Sequence, residues 1–153
     1  MIALIQRVSE AKVVVDGETV GAIGRGLLVL FAVEPSDTAA ECDRLVDRLL
    51  RYRVFDDRDG RMNLSLLDTG GELLLVPQFT LAADTDRGLR PSFTSAAPPE
   101  LGRTLFERAA GLAQAHIGER LATGRFGAHM QVSLTNDGPV TLSLRQRARP
   151  LPE

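Results

Sequence analysis

The chain has 153 residues, 44% hydrophobic and 25% charged, a length and balance that suit one globular domain and show no repeat or low-complexity segment. Its net charge of -2 supplies no basic field for an extended grip on nucleic acid, and a single cysteine, Cys42, excludes an internal disulfide. No apolar run reaches the length of a membrane span or a signal-peptide core, so the sequence predicts a cytoplasmic protein with no membrane partner.

Ile2 to Val8 and Lys12 to Val15 read as two β-rich runs, and Asp16-Gly17 predicts a hairpin into Glu18 to Ile23. Leu27 to Val33 is apolar at every position, which predicts a central strand covered on both faces. Thr38 and Glu41 have the spacing of a capping box, and Cys42, Leu45, Val46 and Leu49 follow at helical spacing. Cys42 therefore reads as a small core residue, and Arg44, Arg48 and Arg51 as a solvated face.

Tyr52 to Phe55 predicts a short strand before a turn at Asp57 to Gly60, and Glu72 to Val76 an apolar strand that ends at Pro77. Pro98-Pro99 opens a longer helix with Leu101, Leu105, Ala109 and Leu112 on one stripe. Met130 to Leu134 and Val140 to Leu144 read as two strands flanking Asn136-Asp137-Gly138-Pro139. That order of elements is an α+β single domain, and Arg145 to Glu153 reads as a disordered, arginine-bearing tail.

Familiar hydrolytic and nucleotide-binding motifs are absent: there is no Gly-x-Ser-x-Gly elbow, no His-Glu-x-x-His helix, no CxxC pair and no Gly-Lys-Ser loop. His116 and His129 read as surface or satisfied core residues. A chain this poor in general bases can still hydrolyse an activated ester by positioning it and offering backbone N–H groups to the oxyanion. A Gly-Pro step inside sheet-forming sequence removes a ladder donor and a side chain, so Gly138-Pro139 reads as a backbone device.

Two segments carry a family resemblance: Val76-Pro77-Gln78-Phe79-Thr80-Leu81-Ala82-Ala83-Asp84-Thr85-Asp86-Arg87-Gly88-Leu89-Arg90-Pro91-Ser92-Phe93, and Asn136-Asp137-Gly138-Pro139-Val140-Thr141. With Ile2-Ala3-Leu4-Ile5-Gln6-Arg7-Val8, they resemble the signature elements of the D-aminoacyl-tRNA deacylases, from Met1 to about Leu144. The resemblance implies a mostly antiparallel, barrel-like core with two main helices outside, a deacylase domain over residues 1–145 and a tail over 146–153. It implies a homodimer that needs no cofactor or metal and has tRNA, not DNA, as its nucleic-acid partner. The implied reaction is hydrolysis of the ester of D-aminoacyl-tRNA, with clearance of glycine misattached to alanine tRNA.

Residue by residue, the resemblance makes Gly138-Pro139 a cis step that enters the other subunit's pocket and rejects L-aminoacyl groups by exclusion. Arg7 resembles the arginine that holds this step across the dimer, Asn136 belongs to the same motif, and Phe126 within Thr123 to Gly127 resembles a pocket-lining residue. Gln78, Phe79 and Thr80 match the family's Ser-Gln-Phe-Thr element at three of four places, Phe79 acting chiefly through its N–H and Thr80 in positioning. In the family the tRNA's terminal 2′-hydroxyl assists catalysis.

Pro77 stands where the family usually has serine, and proline supplies neither a hydroxyl nor an N–H. A branch that clears L-alanine from mischarged tRNA also carries proline there, but with alanine in place of Phe79 and Thr-Asn-Gly-Pro in place of Asn136 to Pro139. Two features against one favour the D-selective reading. The alternatives are that paralogous branch and a non-catalytic RNA-binding or dimerisation module.

Overall fold

The computed structural model describes residues 1–148; of the expected disordered tail, residues 149–153 lie outside the described residues. Strand β1 (Ile2–Val15) is continuous where the sequence reads two runs. Ser9 and Glu10 look like a break because they are exposed, but they mark a change of partner. Residues 11–15 pair antiparallel with β2 (Glu18–Ile23), and residues 2–8 with β3 (Gly26–Ala32). The β1–β2 connection is the expected hairpin, with Asp16 and Gly17 at φ 49° and 78°, the positive values a type I′ turn requires.

Helix α1 (Ala39–Arg51) starts at the predicted capping box, in which Thr38 and Glu41 cap each other's backbone. The hydrogen bond from Thr38 holds the Glu41 carboxyl below the usual carboxylate range. Strands β4 (Phe55–Asp56) and β5 (Met62–Leu64) pair only with each other, so the strand expected from Tyr52 begins at Phe55; Tyr52 itself is the C-cap of α1. A one-turn helix α2 (Leu66–Thr69) leads to β6 (Glu72–Pro77), and α3 (Pro99–Ile117) leads to β7 (Leu121–Thr123) and β8 (Gln131–Arg145).

The main sheet runs β2-β1-β3-β6-β7, with β8 along the other edge of β1. Pairings of β1 are antiparallel, while β3–β6 and β6–β7 are parallel because α1 and α3 provide the crossovers. A Cβ on Gly21 of β2 would lie 2.5 Å from the Thr123 carbonyl oxygen of β7, so the sheet curls almost to closure. The α+β reading with a barrel-like sheet and two outer helices holds.

The barrel interior is filled by Val8, Val13, Leu28, Leu74 and Val76, and the opposite face packs Leu27, Val29, Phe31, Leu73 and Leu75 under α1 and α3. Alternate residues of β3 thus enter two different cores, which is why its sequence is apolar throughout. The Met1 ammonium is buried against Glu34 (2.6 Å) and Asp37 (2.8 Å). Gln146 joins this end, its N–H donating to the Met1 carbonyl at 2.9 Å, so ordered pairing runs past Arg145.

Cys42 is fully buried in the α1–α3 contact, its thiol donating to the Leu105 carbonyl, and burial pushes its pKa up to about 12. The native protein is expected to resist thiol-specific labelling at pH 8 and to react at one site once unfolded in denaturant, because only the thiolate is nucleophilic. Rapid labelling of the folded chain would show that α1 and α3 separate readily.

Candidate active site

Strand β6 delivers the first part of the site. Phe31 and Pro77 are register partners, the Gln78 N–H donates to the Phe31 carbonyl at 2.8 Å, and the chain then turns through a 3-10 helix at Phe79–Ala82. Leu81 and Ala83 donate back to the carbonyls of Gln78 and Thr80. The leading N–H groups of such a turn, Phe79 and Thr80, have no acceptor within it. The Gln78 amide donates to the Thr80 hydroxyl oxygen, which leaves the hydroxyl hydrogen free to donate elsewhere.

Beyond the turn, a loop is pinned by reciprocal backbone hydrogen bonds between Asp84 and Ser92 (2.8 and 2.9 Å). It returns Phe93 onto Phe79, with ring centroids 5.3 Å apart. Both rings remain exposed, Phe79 by 60% and Phe93 by 45%, which leaves an apolar surface at the edge of the site.

Between β6, α3 and the Gly124–Met130 loop lies a cavity of about 420 Å³, walled by Phe31, Val76, Pro77, Phe106, Phe126 and Met130, among others. Gln78 and Phe79 stand on its rim. Phe126 is fixed by packing on Phe106 (centroids 6.3 Å apart) and by the Arg103 guanidinium, 4.7 Å from its ring centre. The volume is in the range of small-ligand sites, and the lining is apolar except for Gln78 and His129.

The second part of the site is a loop-out in β8. Gln6 of β1 pairs with Thr141 and Val8 with Asn136, so residues 137–140 are extra to the ladder. One continuous strand thus replaces the two expected around Asn136-Asp137-Gly138-Pro139. The Asn136 side chain closes the neck, accepting from the Val140 N–H at 2.7 Å and donating to the Val140 carbonyl and the Thr141 hydroxyl at 3.2 and 3.0 Å. The Gly138-Pro139 peptide is cis.

Arg7 lies opposite the loop-out, where β1 has no ladder partner on β8. Its Nε donates to the Asp137 carbonyl and its Nη1 to the Val54 carbonyl, each at 2.8 Å. Within the chain Arg7 thus holds the loop-out, because the pairing of β1 with β8 places the two side by side. Asn136 likewise serves as a clamp on the loop.

Within the chain, then, Gln78, Phe79 and Phe126 converge on the cavity, Thr80 sits just outside it, and Arg7, Asn136, Gly138 and Pro139 form a separate cluster. The model for D-Tyr-tRNA(Tyr) deacylase matches residues 4–145.

The chain belongs to the D-Tyr-tRNA(Tyr) deacylase family.

Among relatives of this deacylase family, a D-aminoacyl-tRNA deacylase of Thioalkalivibrio sulfidiphilus (strain HL-EbGR7) is 65% identical over 94% of this chain and 96% of its own length. That of Methylococcus capsulatus (strain ATCC 33009 / NCIMB 11132 / Bath) is 62% identical over 95% and 94%. A solved structure described as a c-Myc DNA unwinding element binding protein superposes with a TM-score of 0.92 at 39% identity, covering 97% of this chain and 100% of that one. A second, described as "a probable eukaryotic D-amino acid tRNA deacylase", gives 0.81 at 18% identity over 94% and 97%, which speaks to the fold alone.

The sequence reading of this family member gave no role to two residues beside the cavity. His129 is exposed, in keeping with the surface role expected for it, and it also lines the cavity as the one titratable side chain among the lining residues. Arg103 was not singled out at all. His129 follows Phe126 by three residues in the same loop, so an expectation for Phe126 could have extended to it; Arg103 meets Phe126 only through the tertiary packing of α3.

Proposed function

We propose that this chain hydrolyses the ester bond of D-aminoacyl-tRNA, releasing the D-amino acid and free tRNA, and that it also clears glycine from alanine tRNA. The observation that carries the reading is the division of the site. A largely apolar cavity opens beside the free N–H groups of Phe79 and Thr80, while Gly138-Pro139 is held at a different place on the same chain. On this reading the step that closes such a cavity comes from another copy, and the working unit is a homodimer in the cytoplasm, each subunit supplying the partner's chiral filter.

An aminoacyl ester is already activated, so the chain need supply only position and charge stabilisation. The carbonyl oxygen that becomes negative as water attacks is received by the N–H groups of Phe79 and Thr80; one such donor contributes on the order of 3 kcal/mol. The terminal 2′-hydroxyl of the tRNA assists the proton transfer, with the Thr80 hydroxyl, fixed by Gln78, positioning rather than attacking. Rigid carbonyls at the Gly138-Pro139 step lie against the α-carbon, where an L side chain clashes while hydrogen or a D side chain fits. Pro77 contributes ring surface to the wall and no donor, so no step passes through it.

The test is deacylation of D-tyrosyl-, L-tyrosyl-, glycyl- and L-alanyl-tRNA by purified protein with chelator present. Loss of the D-tyrosyl and glycyl esters with the L-tyrosyl ester spared is expected. Preferential loss of L-alanine would move the chain to the paralogous branch, and no turnover at all would leave a binding module. Sedimentation velocity on the same sample reads the dimer, and competition by duplex DNA against tRNA reads the choice of nucleic acid.

A further inference from the structure

The proposed substrate carries negative charge close to the scissile ester. A terminal aminoacyl-adenosine is joined to the preceding nucleotide through its 5′-phosphate, and that phosphate cannot follow the aminoacyl group into an apolar cavity without a large desolvation cost. It must stop at the mouth. We infer that Arg103 and His129 form a phosphate-holding rim at that mouth, receiving the 5′-phosphate of the terminal nucleotide.

Two side chains, one from α3 and one from the Gly124–Met130 loop, flank the same stretch of wall. Arg103 projects from α3, its guanidinium laid over the Phe126 ring at 4.7 Å and its Nη2 4.0 Å from where a Cβ on Gly127 would stand. His129, two residues beyond Gly127, is exposed and lines the cavity. Both therefore lie along the wall made by residues 126–129. That wall is fixed by a turn in which the Ala128 N–H donates to the Arg125 carbonyl at 3.3 Å and the Arg125 N–H to the Met130 sulfur at 3.4 Å.

Neither side chain is held by a carboxylate among the described residues, unlike several arginines elsewhere: Arg7, Arg44, Arg51, Arg108 and Arg145 each have a carboxylate within 4 Å. The donors of Arg103 and His129 are therefore available to an anion. In a protein with a net charge of -2, RNA affinity has to come from local groups of this kind. A guanidinium fork and an imidazole are both suited to phosphate oxygens, and hydrogen bonds to a charged group are stronger than neutral ones.

This inference rests on the deacylase reading and deepens it. Its test compares the D-tyrosyl ester of adenosine, which lacks the phosphate, with the D-tyrosyl ester of 5′-AMP and with D-tyrosyl-tRNA. Arg103→Gln and His129→Gln are each expected to raise KM about 10-fold more for the two phosphate-bearing substrates than for the adenosine ester, whatever loss the adenosine ester itself shows. Arg103→Lys should retain most of the phosphate preference. Equal losses on all three esters would show a merely structural role, and no loss on any would remove the rim from substrate binding; either result overturns the inference. Calorimetric titration with 5′-AMP and with adenosine makes the rim testable without turnover. The wild type should bind 5′-AMP about 10-fold more tightly, and equal binding sinks the inference even if the esters are cleaved.

Discussion

Replacing Gly138 by alanine is expected to lower kcat/KM for D-tyrosyl-tRNA on the order of 100-fold while the far-ultraviolet circular dichroism spectrum stays that of the folded protein. Gly138 has φ 149°, which L residues rarely adopt, and a Cβ there would stand 2.8 Å from Val140 Cγ2 and 2.9 Å from the Val140 nitrogen. Val140 has little room to yield, since its side chain is buried and its N–H is held by Asn136. On the other side the Arg7 guanidinium fixes the Asp137 carbonyl. An added methyl therefore displaces the whole step against two clamps. On the proposed reading of this step as the chiral filter, a displacement of about 1 Å is enough for a 100-fold loss. The fold is spared because residues 137–139 are exposed and outside the ladder. Unchanged kinetics and unchanged D over L preference in this variant would take Gly138 out of the site.

What the sequence made legible, and what it hid, divides along the range of the interactions. Asp16-Gly17, the Thr38–Glu41 cap and the two-faced strand at Leu27 each announce themselves within a few residues, because a positive φ, a cap and a strand buried on both faces are local requirements. Strand continuity was hidden at both ends of the chain. Ser9 and Glu10 read as a break because nothing local says that β1 exchanges β3 for β2 there. Asn136 to Pro139 read as an interruption because the Asn136 side chain, standing in for ladder bonds, is visible only once Val140 and Thr141 are folded against it. The site shows the same split. Gln78, Phe79 and Phe126 were found through resemblance, whereas the role of Arg7 as a clamp within its own chain follows from the register between β1 and β8.

The largest effect on stability is expected from Gly26→Ala. Gly26 begins β3 opposite Glu72 of β6, and a Cβ there would stand 1.8 Å from the Glu72 carbonyl oxygen and 2.7 Å from its carbonyl carbon and nitrogen. These are backbone atoms that no rotamer change can move. Glu72 is also tied to the preceding turn, its N–H donating to the Arg25 carbonyl at 3.0 Å and its carboxylate accepting from the Gly24 N–H at 3.1 Å. Relief of the clash must separate the start of the parallel ladder, whose strands contribute Leu27, Leu28, Leu73 and Leu74 to the two cores. A domain of this size has about 5 to 15 kcal/mol in hand, and disruption of this kind costs roughly 4 kcal/mol or more, so little soluble protein should accumulate at 37 °C. Gly111 in α3 is the control. A Cβ there meets nothing within 4 Å, so Gly111→Ala should raise stability by up to about 1 kcal/mol in urea unfolding through helix propensity alone. Since the same β3–β6 ladder ends at Phe31 and Pro77, next to Gln78, any Gly26→Ala protein recovered at low temperature should lose deacylation before it loses its helices. A soluble, fully active Gly26→Ala protein would mean that this ladder can shift without moving the turn at Phe79–Ala82.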